Sequence, residues 1–475
     1  MGSGQVTDWQ GKHVTVAGLG VSGVPAAKVL HGLGAKVTVV NDGDDARARE
    51  QAAELEALGV TVRLGDGDTL PDGTELIVTA PGWKPGKPLF TAADEAGVPV
   101  WGDVELAWRL RKPGAAPWLA VTGTNGKTTT VQMLASILRA AGLRTAAVGN
   151  IGVSLLDVVL GEEEYDVLAV ELSSYQLHWA PSLRAHSAAV LNLAPDHLDW
   201  HGSMEAYAAD KGRVYEGNRV ACVYNADATG KPSTEDLVRE ADVEEGCRAV
   251  GFTLGTPGPS QLGVVEGLLV DRAFVENRQK NAQELAEVSD VRPPAPHNVA
   301  NALAAAALAR AYGVPASAVR DGLRAFTPDA HRIAHVADLD GVAYVDDSKA
   351  TNTHAAQASL AAYESIVWIA GGLAKGATFD ELVAGSAKRL RGAVLIGRDR
   401  ALIREALARH APEVPVVDLD RTDTGAMLQA VQEAKRLARP GDTVLLAPAC
   451  ASMDMFTNYN KRGDAFAQAV RELGA

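Results

Sequence analysis

The segment VTGTNGKTTT, residues 121–130, presents glycines, a lysine and hydroxyl side chains in the order that a phosphate-binding loop requires. Only two residues separate Gly123 from Gly126, so the loop is shorter than the usual G-x-x-x-x-G-K-[ST] spacing. Backbone N–H groups at a helix start can surround phosphate oxygens, while Lys127 adds charge and Thr128 offers a hydroxyl to Mg²⁺. The alternative is a Gly/Asn turn with an exposed lysine. Because a strand, WLAVTG, precedes the loop and a helical segment follows it, we predict a nucleotide site.

A second glycine-rich turn, GLGVSG, lies between the first predicted strand and the first predicted helix. It supplies Gly18, Gly20 and Gly23, and Asp42 ends the next strand. Glycines for a tight turn, a helix N-terminus for diphosphate and an acid for ribose form a dinucleotide fingerprint. The fingerprint fits a nicotinamide or flavin enzyme, another nucleotide diphosphate, or a turn that only packs helix on strand. It predicts a diphosphate ligand without identifying it.

Acidic and imidazole side chains follow two further apolar strands. Glu171 ends VLAVE, and Asp196 and His197 follow SAAVLNLA. Open α/β sheets place their sites at the carboxyl ends of strands, and Mg²⁺ prefers carboxylate, hydroxyl and phosphate oxygens. Each of these residues alone is more often a helix cap, a surface charge or a structural histidine. Beside a phosphate loop, they favour a shared metal-dependent function.

The elements that position these residues alternate between strand-like and helix-like segments, which predicts α/β domains with parallel sheets and helices on both faces. At 475 residues, a prior of about 150 residues per domain gives three domains. We expect a Rossmann-like domain over residues 1–112, a central P-loop-like ATPase domain over 113–328 and a C-terminal Rossmann-like domain over 329–475. Periodicity weakens between 225 and 296, where TPGPSQLG and VRPPAP are typical of loops.

Composition narrows the function classes. A net charge of −14 argues against sequence-independent nucleic-acid binding, which needs a basic face. The start, MGSGQV, lacks the apolar segment of a signal peptide, and no apolar run reaches the length of a membrane span. The three cysteines are far apart in sequence and predict neither a disulfide framework nor a zinc site. We therefore expect a cytoplasmic protein that binds neither nucleic acid nor membrane.

Six motifs, distributed over nearly the whole chain, resemble the motifs of one known family. GTNGKTTT, ELSSYQL, NLAPDHLDWHG, HNVANALAAAALA, DDSKATN and PACASMDMF together resemble the Mur ligase family of peptidoglycan synthesis. DSKATN and ACAS-x-D point to the D-glutamate-adding branch of that family. The resemblance implies a monomeric enzyme that uses ATP to join D-glutamate to UDP-N-acetylmuramoyl-L-alanine through an acyl phosphate. It also implies that the N-terminal diphosphate is that of UDP, and that the active site lies in a cleft between domains.

The resemblance further implies roles for individual residues, with two Mg²⁺ sites. The implied catalytic residues are Lys127, Glu171, His197, Lys211 and Lys349. Metal binding would fall to Thr128, Glu171, His197 and, once carbamylated, Lys211. A solvated helix lysine is the alternative for Lys211. The implied ATP contacts are Gly123, Thr124, Asn125, Gly126, Lys127, Thr128, Thr129, Asn298, Asn301, Arg332 and Asp347.

The resemblance also implies which residues bind the two other substrates, the UDP-linked sugar and D-glutamate. Those implied for UDP are Gly20, Val21, Ser22, Asp42 and Asn150, and those implied for D-glutamate are Thr351, Lys375, Ser452 and Tyr459. Three rivals stay open at this point. One is a family member that adds L-alanine or a diamino acid, one is a nicotinamide oxidoreductase, and one is a nucleotide-gated binding protein without catalysis.

Overall fold

The computed structural model describes residues 8–421 and 423–474, so the MGSGQV segment lies outside the described residues. Three mostly parallel sheets with flanking helices form an α/β fold, as the alternating pattern predicts. The chain divides into two compact units, one made of the residues up to Val291 with Val299–Phe326, the other of Arg292–Asn298 with the residues from Thr327 onward. The domain boundaries near residues 112 and 328 stay predictions. Within the described residues, no helix is long and apolar enough to cross a membrane.

The first sheet has five parallel strands in the order β3-β2-β1-β4-β5. Its strands are β1 His13–Ala17, β2 Lys36–Asn41, β3 Thr61–Leu64, β4 Leu76–Thr79 and β5 Val100–Gly102. Its helices are α1 Gly23–Gly32, α2 Ala46–Glu56, α3 Pro88–Glu95 and α4 Asp103–Leu110. Strand β1 is fully buried and pairs with both β2 and β4, so the strand order reverses there. The glycine turn that follows β1 therefore lies where open α/β sheets bind nucleotides.

The second sheet has nine strands in the order β14-β13-β12-β11-β10-β9-β6-β8-β7. Its strands are β6 Trp118–Thr122, β7 Ala147–Gly149, β8 Leu168–Glu171, β9 Ser187–Val190, β10 Ala221–Asn225, β11 Arg248–Phe252, β12 Gln261–Val265, β13 Leu268–Asp271 and β14 Gln283–Glu287. Strand β6 pairs with β8 on one side and β9 on the other. The loop after β6 is thus at the switch point of this sheet as well.

The helices of the second sheet are α5 Lys127–Ala140, α6 Leu155–Leu160, α7 Ser174–His178, α8 Leu198–His201, α9 Met204–Gly212, α10 Thr234–Glu240, α11 Pro296–Ala311 and α12 Ala316–Ala325. Short 3₁₀ turns cover Arg213–Tyr215 and Val288–Asp290. The weakly periodic stretch 225–296 is more structured than its sequence suggests, since it holds α10 and β11–β14. Strands β12, β13 and β14 pair antiparallel at the sheet edge, where polar residues such as those of QELAE face solvent and blur the apolar pattern.

The third sheet, in the second unit, has six strands in the order β15-β16-β20-β17-β18-β19. Its strands are β15 Ala334–Leu339, β16 Val342–Asp346, β17 Ile366–Gly371, β18 Leu390–Ile396, β19 Val416–Asp418 and β20 Thr443–Leu446. Its helices are α13 Thr353–Ala361, α14 Asp380–Ser386, α15 Arg400–His410, α16 Ala426–Leu437 and α17 Tyr459–Leu473, with a 3₁₀ turn at Ala387–Arg389. Adjacent strands β16, β20 and β17 run parallel, so their carboxyl ends share one edge.

Candidate active site

The shortened glycine loop joins β6 to α5, and its backbone is hydrogen-bonded to the side chain of Asn192. The Asn192 amide oxygen accepts the Asn125 backbone N–H at 2.8 Å, and its amide nitrogen donates to the Asn125 carbonyl at 3.0 Å. Gly126 has φ 84°, and a Cβ there would collide with Oδ1 of Asn301. The loop therefore requires glycine, and it presents the N-terminus of a 14-residue helix. The sequence reasoning missed Asn192, although a polar residue two positions after a buried strand is a usable signal.

Two lysine ammonium groups converge on this loop. Lys127 Nζ donates to the carbonyl oxygen of Gly123 at 2.8 Å, and Lys211 Nζ donates to the same oxygen at 3.0 Å. Lys127 lies at the start of α5, while Lys211 comes from α9 and is almost fully buried. The charge of Lys127 at the loop is what a polyphosphate needs in a protein of acidic overall charge, and it also acts on the neighbouring amine of Lys211.

The environment of Lys211 changes its titration. Burial, and then the ammonium of Lys127, lower the pKa of Lys211 well below its ordinary value, although Asp196 and Glu171 oppose the shift. Its ammonium also lies 4.6 Å from the ring centroid of Tyr207. A buried lysine with a lowered pKa carries a larger fraction of neutral amine, which is a nucleophile. This environment contradicts a solvated helix lysine.

Glu171 offers a carboxylate oxygen suited to a cation. The side chain is 2% exposed, its Oε1 accepts from the Asn150 amide at 2.9 Å, and its Oε2 finds no hydrogen-bond partner among the described residues. A buried carboxylate oxygen without a partner is costly unless a ligand or metal satisfies it. Among residues 8–421 and 423–474, no three His, Cys, Asp or Glu side chains are gathered around a metal position. The buried carboxylate oxygen of Glu171 is the kind of hard ligand that Mg²⁺ prefers, and Mg²⁺ commonly takes few protein ligands together with phosphate oxygens.

His197 stands at the N-cap of α8 with φ 54°, a left-handed conformation that is uncommon outside glycine. Its ring packs 4.9 Å from that of Tyr175, and its Nε2 lies 3.5 Å from Oδ2 of Asp196. Burial lowers the pKa of His197, Lys211 and Lys127 lower it further, and Asp196 opposes them. A neutral imidazole retains a lone pair, so His197 can ligate a cation.

A buried polar network fixes the helices that carry these groups. Asp210 accepts from Nδ1 of His178 at 2.8 Å and from Nδ1 of His201 at 2.9 Å, and His201 Nε2 lies 3.0 Å from the Ser174 hydroxyl. These contacts connect α7, α8 and α9, which carry or adjoin His197 and Lys211. The sequence reasoning missed this network, because its members are neighbours only after the three helices pack.

The first glycine turn lies beside an aromatic side chain that the sequence reasoning also missed. A Cβ at Gly18 would lie 2.8 Å from Nε1 of Trp83, and one at Gly67 would lie 2.9 Å from Cη2 of the same indole and collide with Asp42. Lys87 Nζ lies 4.8 Å from the Trp83 ring centroid and 2.8 Å from the Asp42 carboxylate. A half-buried indole next to a diphosphate turn and an acidic side chain has the properties of a base platform.

The remaining candidates for UDP fall into two groups. Val21 is 87% exposed in the turn, and the Ser22 hydroxyl donates to Oδ2 of Asp103 at 3.0 Å. Gly20 belongs to the same turn, so these residues gather with Asp42 at the carboxyl edge of the first sheet. Asn150 is placed elsewhere, at the end of β7 against Glu171.

In the second unit, the candidates follow the carboxyl ends of β16, β17 and β20. Backbone hydrogen bonds join Leu373 and Ala451 in both directions, at 2.9 and 3.0 Å, and so connect the loops that carry Lys375 and Ser452. Lys375 is exposed and has φ 51°, whereas Ser452 is buried. Thr351 lies in the loop after β16, two residues from Lys349.

Lys349 and Tyr459 lie together, with the Lys349 ammonium 4.2 Å from the tyrosine ring centroid. Behind them is Arg462, which is 1% exposed and which the sequence reasoning missed. Its guanidinium donates to the Ser348 hydroxyl at 3.0 Å, the Ser348 carbonyl at 2.8 Å and the Cys450 carbonyl at 3.0 Å. Burial lowers the pKa of Arg462 to about 10. Arg462 thereby joins the DDSK and ACAS motifs.

Asp347 and Arg332 have different surroundings. The Asp347 carboxylate accepts the Ser359 hydroxyl and the Ile333 N–H, and burial raises the pKa of Asp347 to about 6. Nε of Arg332 lies 3.9 Å from Oδ2 of Asp329, and the charge of Arg332 opposes the rise in the pKa of Asp347. Asn298 belongs to the second unit and Asn301 to the first, although both lie on α11. The roles of all these residues stay predictions.

Comparisons with known proteins agree with this geometry. A family model described as "Mur ligase middle domain" matches residues 121–309, and one described as "Mur ligase, glutamate ligase domain" matches residues 331–450. The UDP-N-acetylmuramoylalanine–D-glutamate ligase of Streptomyces coelicolor is 90% identical over 474 residues, which cover 99% of this chain and 100% of the relative. The chain belongs to the Mur ligase family.

Further comparisons extend the relationship across the family. The Mur ligase named UDP-N-acetylmuramoylalanine–D-glutamate ligase in Thermobifida fusca is 60% identical, over 98% of this chain and 99% of the relative. The fold is similar to the solved UDP-N-acetylmuramate–alanine ligase of Thermotoga maritima, with TM-score 0.54, 18% identity and coverage of 97% and 99%. It is also similar to a pseudomurein peptide ligase type C of Methanothermus fervidus, with TM-score 0.57, 17% identity and coverage of 97% and 100%.

One comparison explains the oxidoreductase alternative. A model described as "Pyridine nucleotide-disulphide oxidoreductase" matches residues 13–67, the segment that holds β1, the first glycine turn and β3. The match ends well before the loop at Gly123–Gly126. Proteins of different function can share such a turn, because a helix N-terminus is a general binding site for phosphate groups.

Proposed function

We propose that this Mur ligase uses ATP to join D-glutamate to UDP-N-acetylmuramoyl-L-alanine in the cytoplasmic synthesis of peptidoglycan precursors. The observation that carries the proposal is the 90% identity to a relative named for this reaction, over essentially the full length of both chains. A second observation supports it: the side-chain nitrogens of Lys127 and Lys211 both lie at the Gly123 carbonyl of the shortened loop.

The reaction begins with phosphoryl transfer. A carboxylate oxygen of the alanyl group attacks the γ-phosphorus of ATP, the bond to the β,γ-bridging oxygen breaks, and ADP leaves with that bond's electrons. Lys127 and the N–H groups at the start of α5 hold the β- and γ-phosphates, because this chemistry depends on positioning and on neutralising charge. The amine of D-glutamate then attacks the acyl carbon of the acyl phosphate, and inorganic phosphate leaves from the tetrahedral intermediate.

We propose two Mg²⁺ positions. Thr128 and Glu171 would hold the first beside the phosphates, which fits the buried Oε2 of Glu171, an atom without a partner in residues 8–421 and 423–474. His197 would hold the second, together with a carbamate formed when the neutral amine of Lys211 attacks carbon dioxide and loses a proton. Bound Mg²⁺ would neutralise charge on the transferring phosphoryl group. The carbamate is anionic, whereas the ammonium of Lys211 would repel a cation.

The substrate-binding roles follow the two units. Gly20, Val21, Ser22 and Asp42 would bind the UDP portion, with Trp83 under the uracil ring, while Asn150 would act next to Glu171. Thr351, Lys375, Ser452 and Tyr459 would bind D-glutamate, with the exposed ammonium of Lys375 paired to a carboxylate. We also propose that the enzyme is a monomer, which light scattering on the purified chain would test.

The test is phosphate release from ATP with UDP-N-acetylmuramoyl-L-alanine and one of four acceptors: D-glutamate, L-glutamate, L-alanine or meso-diaminopimelate. We expect release with D-glutamate alone, with Lys127→Met inactive and Lys388→Met, at an exposed position, as active as the parent enzyme. Release with another acceptor would retain the ligase chemistry and overturn the assignment of Thr351, Lys375 and Ser452. No release with any acceptor would overturn the proposal itself.

A further inference from the structure

Two of the three cysteines, distant in sequence, are adjacent in space. Cys222 lies in β10 and Cys247 directly precedes β11, the neighbouring parallel strand, and their sulfur atoms are 3.9 Å apart as free thiols. The register explains the proximity, because Cys222 pairs with Ala249 and Cys247 is two residues before that partner. Residues two apart on a strand project to the same face, so both thiols lie on one side of the sheet.

The two thiols differ in exposure and in titration. Cys222 is 1% exposed in the core, whereas Cys247 is half-buried. The hydrogen bond between them lowers the pKa of Cys247, and the same hydrogen bond, together with burial, raises the pKa of Cys222. The thiolate is the reactive form of cysteine, so the more accessible sulfur is also the more reactive one.

The chain around Cys247 can move toward its partner. Cys247 follows a turn whose residues Glu244–Gly246 are exposed, and the Cys247 N–H closes the turn on the carbonyl of Glu244 at 3.0 Å. Cys222, by contrast, is fixed within a paired strand. Closing a gap of 3.9 Å to the bond length of about 2.0 Å therefore requires movement mainly at an exposed turn.

We propose that Cys222 and Cys247 form a reversible disulfide when the enzyme is exposed to a peroxide. The Cys247 thiol loses its proton and the thiolate attacks a peroxide oxygen, which breaks the O–O bond and forms a sulfenic acid. The hydroxide or alkoxide that leaves takes up a proton equal to the one that the thiol lost, and water or an alcohol is released. The Cys222 thiol then displaces hydroxide from that sulfur, and the lost thiol proton and hydroxide form water. Two thiols are oxidised to one disulfide and one peroxide is reduced, and a small thiol in excess reverses the change by exchange.

The bond would close a loop that contains α10. It lies at the amino ends of β10 and β11, whereas the phosphate loop lies at the carboxyl end of β6 in the same parallel sheet. We therefore expect the disulfide to stabilise the first unit against heat by restricting its unfolded chain, and to leave turnover essentially unchanged. This modification is independent of the ligase reaction.

Cys450 provides the matched control. It is 1% exposed in the core of the second unit, and burial raises the pKa of the Cys450 thiol to about 12. The full-length enzyme is treated with a small excess of hydrogen peroxide, its remaining thiols are alkylated, and it is digested for mass spectrometry. We expect a linked peptide joining Cys222 to Cys247, lost on reduction, with Cys450 alkylated after denaturation.

Single cysteine variants distinguish the sulfur that attacks the peroxide from the sulfur that then closes the disulfide. In Cys222→Ser, Cys247 should be trapped as a sulfenic acid by a dimedone probe, whereas Cys247→Ser should yield neither product and Cys450→Ser should form the linked peptide as the parent does. If a variant fails to fold, the search for the linked peptide in the parent enzyme still tests the proposal. Recovery of Cys222 and Cys247 as separate alkylated peptides, or oxidation of Cys247 to a sulfinic acid without the linked peptide, would overturn the proposal.

Discussion

At the scale of single residues, the site depends on placing groups in surroundings unlike water. Lys211 is a lysine in the core, and His197 is an imidazole in a left-handed backbone conformation. Glu171 is a carboxylate with a buried oxygen that has no hydrogen-bond partner among the residues that the structure describes. Each arrangement costs free energy of folding, by desolvation or by backbone strain, and such costs cluster at functional sites. Three such costly arrangements lie around one glycine loop, which indicates that they are maintained because they serve catalysis.

Lys211 gives a prediction that depends on carbon dioxide and pH. Lys211→Ala, and equally Lys211→Arg, should lower kcat by about 10²-fold or more, since neither side chain can carry the carbamate. In the parent enzyme, lowering the pH protonates the amine, so removing carbon dioxide should reduce the rate more strongly at pH 6 than at pH 8. Initial rates in degassed and bicarbonate-supplemented buffer measure this effect. Equal rates in both buffers at every pH would argue against a carbamate.

Trp83 gives a prediction about the uridine end. Trp83→Ala should raise the KM for the UDP substrate about tenfold, since stacking contributes about 1–3 kcal/mol per base, while kcat changes little. Trp83→Phe should recover most of the affinity because it retains an aromatic face. The KM for ATP, measured in the same assays, is the internal control. A parallel rise in both KM values would indicate a general disturbance of the fold.

At the scale of secondary structure elements, the glycine loop works because a strand, a tight turn and a helix N-terminus meet at the switch point of the sheet. Gly126 contributes by lacking a side chain as well as by its φ of 84°. Asn301 of α11 fills the space that a Cβ would need, so a second helix packs directly on the loop. The loop geometry is therefore determined by two helices, only one of which adjoins it in sequence.

Gly126 and Gly142 allow these two effects to be separated. Both have positive φ, 84° and 80°, at opposite ends of α5, but a Cβ at Gly142 would meet no atom within 4 Å. Gly142→Ala should cost only backbone strain, about 1 kcal/mol of unfolding free energy. Gly126→Ala should cost more and also abolish binding of a non-hydrolysable ATP analogue. Calorimetric titration and thermal melts check both, and similar nucleotide affinity in the two variants would contradict the argument.

At the scale of the whole molecule, the functional groups are divided between two compact units. The first holds both glycine turns, Glu171, His197 and Lys211, and the second holds Lys349, Lys375 and Ser452. An open parallel sheet binds its ligand at one edge, where the carboxyl ends of the strands lie. A ligase that uses a nucleotide sugar, ATP and an amino acid therefore needs more than one sheet. Under the proposed function, each of the three sheets would supply one binding edge.

The second unit gives a prediction about stability. His331 is buried, its Nδ1 lies 2.6 Å from Oδ2 of Asp346, and this hydrogen bond raises the pKa of His331 above its ordinary value of 6.5. A raised folded-state pKa means that the stabilisation is complete below pH 6.5 and is lost as pH rises through the raised value. His331→Gln should thus destabilise the protein by about 1–3 kcal/mol at pH 6, and by less at pH 9.

Thermal melts at both pH values measure the effect of His331→Gln. His335→Gln is the control, because His335 pairs with Asp338 on the surface, where an ion pair contributes little. A destabilisation by His331→Gln that is the same at pH 6 and pH 9 would contradict a charged His331.

The amino-acid sequence was enough to predict the fold class, both glycine turns and the family, because these depend on local patterns: apolar strands, glycines at fixed offsets, and polar residues at strand ends. It missed Asn192, Trp83, Arg462, the Asp210 network and the strands between 225 and 296. Their partners are distant in the chain, and edge strands lack a clear apolar period. Three features depend on how the elements pack: Lys127 and Lys211 share one carbonyl, Cys222 faces Cys247, and a buried oxygen of Glu171 has no partner within the described part of the chain. The physical reason is that a site's electrostatics depend on which elements pack together, and burial by those elements converts ordinary side chains into reactive ones.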